Sequence, residues 1–140
     1  MHHTYNRSLH LYSINQTFTD GAAVPLNNTG LAKGCTAVLG APATIELNRM
    51  GIYMVSVNAT LTGTAAGEGQ LQLTRNGVAL PMAQASETLA TTPAALSFMT
   101  LVQVSQNNTP CCYSAPVSLQ VVYTGDDATG DINVCVTKIC

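Results

Sequence analysis

An all-β domain, built as an antiparallel sandwich or barrel, is what the sequence predicts, and three observations predict it. Apolar side chains recur at every second position in short successive segments. Clusters of Gly, Pro, Asn and Thr separate those segments, and no long stretch keeps an apolar face at helical spacing. The 140 residues, 46% of them hydrophobic, fit a single domain over 1–140 that buries roughly two-thirds of the surface its extended chain exposes.

The first alternation sets Ala43, Ile45 and Leu47 against Thr44, Glu46 and Asn48, a strand with one dry and one wet face. Met50 and Gly51 interrupt it. Tyr53, Val55, Val57, Ala59 and Leu61 then share one side of a longer strand, whose other side begins apolar at Ile52 and Met54 and turns polar at Ser56, Asn58 and Thr60. Such a strand is expected to be covered twice at one end only. Residues 62–69, with Gly63, Gly67 and Gly69, read as a loop. Leu71 and Leu73 alternate with Gln70, Gln72 and Thr74, and Arg75 leads into Asn76-Gly77, two residues that tolerate the positive φ of a type I′ hairpin turn. Val78 and Leu80 resume the sheet, and Pro81 makes the return strand short or places it at an edge.

Thr and Pro crowd residues 83–95, which are predicted as a loop holding one strand fragment. From Leu96 to Val104 the chain is apolar on both faces, with Leu96, Phe98, Val102 and Val104 opposing Met99 and Leu101, and its β-branched residues favour a strand. A turn follows at 106–110. Val117, Leu119, Val121 and Tyr123 mark another strand, 125–130 a polar loop, and Ile132, Val134 and Val136 the start of the last strand.

Charged residues are only 9% of the chain, against about 25% in an ordinary globular protein. Lys and Arg total 5 and the formal charge is -2, so no basic stripe exists to neutralise several phosphates and nucleic acid is excluded as a partner. Ser, Thr, Asn and Gln supply neutral polarity instead, which suits a secreted module or the surface of a particle. No segment approaches the roughly 20 continuous apolar residues of a spanning helix, so membrane insertion is not expected. Residues 1–10 are expected to be mobile or to mediate assembly.

Catalytic chemistry finds little support. His2, His3 and His10 cluster near the N-terminus without a nucleophile motif, and the glycines of 62–69 are not followed by Lys-Ser/Thr. Asp126, Asp127 and Asp131 could offer oxygen ligands to calcium or a pair of acids, but Gly-, Asp- and Thr-rich stretches are ordinarily solvated turns. No catalytic residue, metal or cofactor is therefore assigned. Cys35, Cys111, Cys112, Cys135 and Cys140 are odd in number and have no zinc spacing; they either form disulfides, within or between subunits, or pack as small apolar residues. Asn6, Asn15, Asn27, Asn58 and Asn107 open Asn-x-Ser/Thr triplets, which matter only in a eukaryotic secreted chain. The segments 62–69, 83–95, 106–116 and 125–131 are expected to form a crown of loops, in which Tyr113 either stacks on a sugar or packs locally.

Three stretches carry a resemblance to a known family. Val24-Pro25-Leu26-Asn27 resembles a Val-Pro-Phe-Asn segment, Gly51-Ile52-Tyr53 a Gly-hydrophobic-Tyr strand start, and Asn76-Gly77 a hairpin after a polar strand end. In this order they resemble the C1q/TNF-like jelly-roll superfamily, and most closely the C-terminal domains of bacterial BclA-type collagen-like surface proteins. The resemblance implies an antiparallel two-sheet jelly-roll sandwich, with Gly51, Tyr53, Asn76 and Gly77 structural, and a homotrimer. The second apolar face at Ile52, Met54, Met99 and Leu101 supplies the surface a trimer would bury. The chain departs from the pattern in its C-terminal strand, INVCVTKIC, which lacks aromatics, and in having no Gly-X-Y repeat. The expected function is a non-enzymatic surface module of a spore, cell or phage particle. It would cap or organise an attached fibre and present loops to a surface glycan or protein receptor. A phage receptor-binding or decoration protein and a surface-glycan-acting enzyme are the alternatives.

Overall fold

The computed structural model describes residues 8–33, 37–41, 43–104 and 117–139. Eleven strands are present in that part of the chain: β1 Ser8–Phe18, β2 Ala22–Ala23, β3 Asn28–Lys33, β4 Ala37–Ala41, β5 Thr44–Leu47, β6 Gly51–Gly63, β7 Gly67–Arg75, β8 Val78–Leu89, β9 Ala94–Val104, β10 Val117–Gly125 and β11 Ala128–Lys138. They form a five-stranded sheet in the order β3-β1-β11-β6-β9 and a six-stranded sheet in the order β4-β5-β10-β7-β8, with β2 added to β10. All the strand pairs are antiparallel. Consecutive strands repeatedly change sheets, as in a jelly roll.

Period-two burial drives the architecture. Tyr53, Val55, Val57, Ala59 and Leu61 of β6 are all buried, as are Val117, Leu119, Val121 and Tyr123 of β10 and Ile132, Val134 and Val136 of β11. These inward sets meet Leu71 and Leu73 of β7 and Ile45 and Leu47 of β5 in one core. Phe18 and Tyr123 close one end of it edge to face, with ring centroids 5.5 Å apart. At the other end the Tyr53 hydroxyl donates to the Arg49 carbonyl at 2.7 Å. Gly51 opens β6 at φ 153°, and Asn76 and Gly77 sit at φ 50° and 83°, the two positive values of a type I′ turn. Asn76 is anchored twice on Ser118, its backbone N–H donating to the Ser118 carbonyl and its Oδ1 accepting from the Ser118 N–H, each at 2.8 Å.

Two expectations, both of loops, are corrected. Residues 83–95 are not a loop: β8 runs through Leu89 and β9 starts at Ala94. Pro81 lies on an edge strand, one of the two placements its sequence allowed; that strand is 12 residues long and takes up the proline in a register shift opposite Gln72 and Thr74. Segments 62–69 and 125–131 are mostly strand, leaving only residues 64–66 and 126–127 between ladders. Ser8–His10, the last three residues of the 1–10 segment expected to be mobile or to mediate assembly, are the first residues of β1, which is flanked by β3 and β11.

β1 itself carries a β-bulge. Between Ser13 and Gln16 the register slips against β11, with Asn15 at φ 54° and its N–H donating to Asp131 Oδ1 at 3.0 Å. The inward side therefore passes from the odd positions Leu9, Leu11 and Ser13 to the even position Phe18. Buried Ser13 is satisfied on both sides, donating to the Pro25 carbonyl at 2.7 Å and accepting from the Asn27 N–H at 2.9 Å. This ties the Val24-Pro25-Leu26-Asn27 stretch, with Val24 and Leu26 in the core, to β1.

Candidate functional site

The two outward faces of the sandwich differ in chemistry. On the six-stranded sheet the outer face is amide and hydroxyl, and it bonds to itself. Gln70 donates to Gln84 at 2.5 Å, Gln72 to the Leu80 carbonyl at 2.6 Å and Gln120 to Thr44 at 2.9 Å. These bonds satisfy the polar groups of the face, and its exposed large apolar side chains, Val78 and Met82, lie on the edge strand β8.

The five-stranded sheet is different, and its outer face divides along the strands. Near the end where β6 begins, Met54 lies opposite Leu101 across the β6–β9 ladder, and Ile52 and Ser56 flank it opposite Gln103 and Met99. Met99 and Leu101 are 64% and 62% exposed, and Ile139 and Leu31 add exposed apolar groups on the same sheet. The four residues singled out as a candidate subunit contact, Ile52, Met54, Met99 and Leu101, are thus brought together on one patch. Cys135 adjoins it, paired with His10 on one side and Ser56 on the other. Its thiol is free and half-buried, and burial raises its pKa above the ordinary value.

Toward the opposite end the outward residues of β9 shrink to Ser97 and Ala95, and the sheet carries a hollow of about 470 Å³. One cross-strand row runs Tyr12, Asn133, Asn58, Ser97 over β1, β11, β6 and β9, and Asp131, Thr60 and Ala95 continue it. His10 packs beside Tyr12 with ring centroids 5.7 Å apart. Sequence reasoning missed this hollow. The small outward residues Ala95 and Ser97 were readable from alternation, but their juxtaposition with Tyr12 depends on strand order and register.

At that end of the sandwich four turns meet. The Gly125 N–H donates to Asp20 Oδ1 and the Glu68 N–H to Asp126 Oδ2, both at 2.9 Å, while the Gly63 N–H donates to the Ala90 carbonyl at 2.8 Å. The buried Tyr123 hydroxyl donates to the Asp126 carbonyl. Burial raises the Tyr123 pKa, and the nearby charges of Asp126, Asp127 and Asp20 raise it further. Asp126 and Asp20 thus cap backbone N–H groups, and Asp131 does the same for Asn15. Among the described residues no group of three or more His, Cys, Asp or Glu could hold a metal ion. Cys35, Cys111, Cys112, Cys140 and Tyr113, and the loop segment 106–116, lie outside the described residues.

This strand order and double-sheet geometry define a C1q/TNF-like jelly roll. Mouse APRIL superposes with a TM-score of 0.66 at 12% identity, over 96% of this chain and 99% of that one. Eiger TNF from S. frugiperda gives 0.66 at 12% identity over 97% and 94%, and the globular domain of zebrafish complement 1qA gives 0.64 at 10% over 95% and 96%. The PRD1 vertex protein P5 superposes at 0.59, with 13% identity, over 99% of this chain and all of its own. At these identities the likeness is one of fold. No protein-family model matches the sequence, and no curated protein matches it. No helix among the described residues is long and apolar enough to cross a membrane.

Proposed function

We propose that this chain is a non-enzymatic, homotrimeric module on the outside of a spore, cell or phage particle, where it caps or organises a fibre and presents a binding surface. One observation carries the reading: the apolar patch of Ile52, Met54, Met99 and Leu101 lies on the outer face of one sheet, while the outer face of the other is amide-rich and self-bonded. Water is better excluded from the first face than from the second. A closed three-fold ring hides that patch on every copy without leaving an open, polymerising contact. Trimerisation is also what the resemblance to the C1q/TNF-like superfamily implies. The Val24–Asn27, Gly51–Tyr53 and Asn76-Gly77 stretches support the narrower kinship with BclA-type domains.

The full-length superposition on a vertex protein supports a second reading within the same class, a receptor-binding or decoration protein of a phage particle. The enzyme alternative is weaker, because the carboxylates of Asp20, Asp126 and Asp131 are each engaged by a backbone N–H and do not form an open acid pair. Light scattering over a range of concentrations tests the proposal. Three times the chain mass is expected, and a monomer at every concentration overturns it. Reducing against non-reducing gels then show whether cysteines link the subunits.

A further inference from the structure

We propose that Asn76-Gly77 is a latent self-modification site, closed by the folded hairpin and opened when its tip leaves β10, so that a passing opening of the chain becomes a permanent, destabilising chemical mark. The site is the β7–β8 turn of the six-stranded sheet, off the face that the trimer closes, and the proposal is the same for one copy or three. Asn76 is the only asparagine of the chain that a glycine follows. In such a pair no side chain shields the amide nitrogen that comes after the asparagine. Base takes the Gly77 N–H proton, the nitrogen bonds to Asn76 Cγ, and the side-chain nitrogen leaves as ammonia, closing a five-membered succinimide. Water then opens the ring at either carbonyl and leaves aspartate or isoaspartate. Hydroxide and water are the only co-reactants.

Both reacting residues are exposed, and nothing stands within 4 Å of a Cβ built on Gly77, so solvent reaches the turn. The backbone nevertheless keeps the partners apart. Asn76 at φ 50° and Gly77 at φ 83° form the type I′ turn, whose first central residue has ψ of about 30°. About the Cα–C bond the Gly77 nitrogen then stands nearly anti to Asn76 Cβ, and no rotation of the side chain brings Cγ to bonding distance. Two bonds to Ser118 hold this geometry, one from the Asn76 N–H to its carbonyl and one from its N–H to Asn76 Oδ1, each at 2.8 Å. At the foot of the turn Arg75 donates to the Gln103 carbonyl of β9 at 2.6 Å. Attack requires the Asn76-Gly77 peptide to swing round, which these anchors oppose. Asp20-Gly21, the corresponding acidic pair at the other pole, is closed differently. Its carboxylate accepts from the Gly125 N–H at 2.9 Å, and the Gly21 N–H itself donates to the Tyr123 carbonyl at 2.8 Å. The Gly77 N–H has no such partner among the described residues, so its restraint is the turn alone. Isoaspartate routes the main chain through the former side chain and adds one backbone atom. A two-residue turn then no longer fits the ladder, and the oxygen that accepted from Ser118 is displaced.

The test incubates the intact chain in mildly alkaline buffer and, in parallel, in concentrated urea, and follows every asparagine by peptide mass spectrometry with aspartate and isoaspartate separated. In urea Asn76 is expected to react ahead of all other asparagines. In buffer the same site should react at least about tenfold more slowly, because only the fraction of chains with an open tip is competent. Arg75→Ala loosens the foot of the turn from a half-exposed position without touching the reacting pair. It should raise the rate in buffer about threefold and leave the rate in urea unchanged. Modified chain returned to buffer is expected to melt below untreated chain, whereas Asn76→Asp, which keeps the oxygen acceptor and the backbone length, should melt with the wild type. Four results overturn the proposal: equal rates in buffer and urea, reaction led by another asparagine in urea, a rate in buffer indifferent to Arg75→Ala, or modified chain that melts with the untreated protein.

Discussion

Replacing Met99 and Leu101 together by Thr tests the role of the apolar patch. Both side chains are outward on β9 and more than 60% exposed in the protomer, so the substitution removes little from the core, and Thr keeps strand propensity. Burying a whole Leu or Met side chain is worth about 1.5–3 kcal/mol, so hiding the exposed two-thirds contributes about 1–2 kcal/mol each. Two such residues in each of three subunits give about 6–12 kcal/mol per trimer. The midpoint concentration of a three-body equilibrium moves by half that free energy, roughly two to four decades. Light scattering and sedimentation across a dilution series should show the wild type holding three copies where the variant has dissociated, with the strand signature in circular dichroism unchanged. A variant that keeps its mass over the whole series refutes the assignment of this patch. Early unfolding of a monomeric variant shows instead that β9 depends on these side chains within the subunit.

Three further outcomes follow from the geometry. Gly125→Ala would place a Cβ 2.2 Å from the Glu68 carbonyl oxygen at φ 140°, and a loss of about 2–4 kcal/mol is expected in urea denaturation; a wild-type midpoint would mean that the β10–β11 turn yields freely. Tyr123 has a raised pKa in the folded chain. Its contribution is therefore complete below its ordinary value of about 10 and is lost as pH rises above that, because the unfolded chain ionises first. Tyr123→Phe should cost about 1 kcal/mol at pH 8 through the lost bond to the Asp126 carbonyl and show a shallower decline between pH 9 and 11; parallel declines would contradict the assignment. The raised pKa of Cys135 predicts slow alkylation by iodoacetamide at neutral pH, quickening about tenfold per pH unit to beyond about 8.5, followed by peptide mass spectrometry; a plateau below pH 8 would refute it.

The strands that could be read from the sequence are those whose two faces keep one parity. β6 shows this best, since Tyr53 to Leu61 face inward without interruption while Ile52 and Met54 announce the apolar patch outside. β1 was invisible because the bulge at Asn15 moves the buried side from Leu11 to Phe18 across a change of parity. The second half of β8, from residue 83, reads as loop because, as an edge strand, β8 buries only Ala83 and Leu89 fully and so carries no stripe to recognise. Gly63, Gly67 and Gly125 looked like loop formers but terminate ladders that meet in tight connections. The patch needed only local alternation. The hollow needed four strands from distant parts of the chain set side by side, which no local pattern encodes.

The pairing of β1 with β11, Ser8 opposite Thr137 through Phe18 opposite Ala128, brings the two outer strands of the sequence to one pole of the sandwich. A tether joined beyond either strand would pull from that pole, while the four-turn end with Asp20, Glu68, Asp126 and Asp127 projects away from it. If cargo grips the distal pole, load runs along β1 or β11 and every rung of their shared ladder resists together, as in shear. Pulling both strands from the tethered pole would instead open the ladder rung by rung, so the domain is strongest when held by one terminus and loaded at its far end.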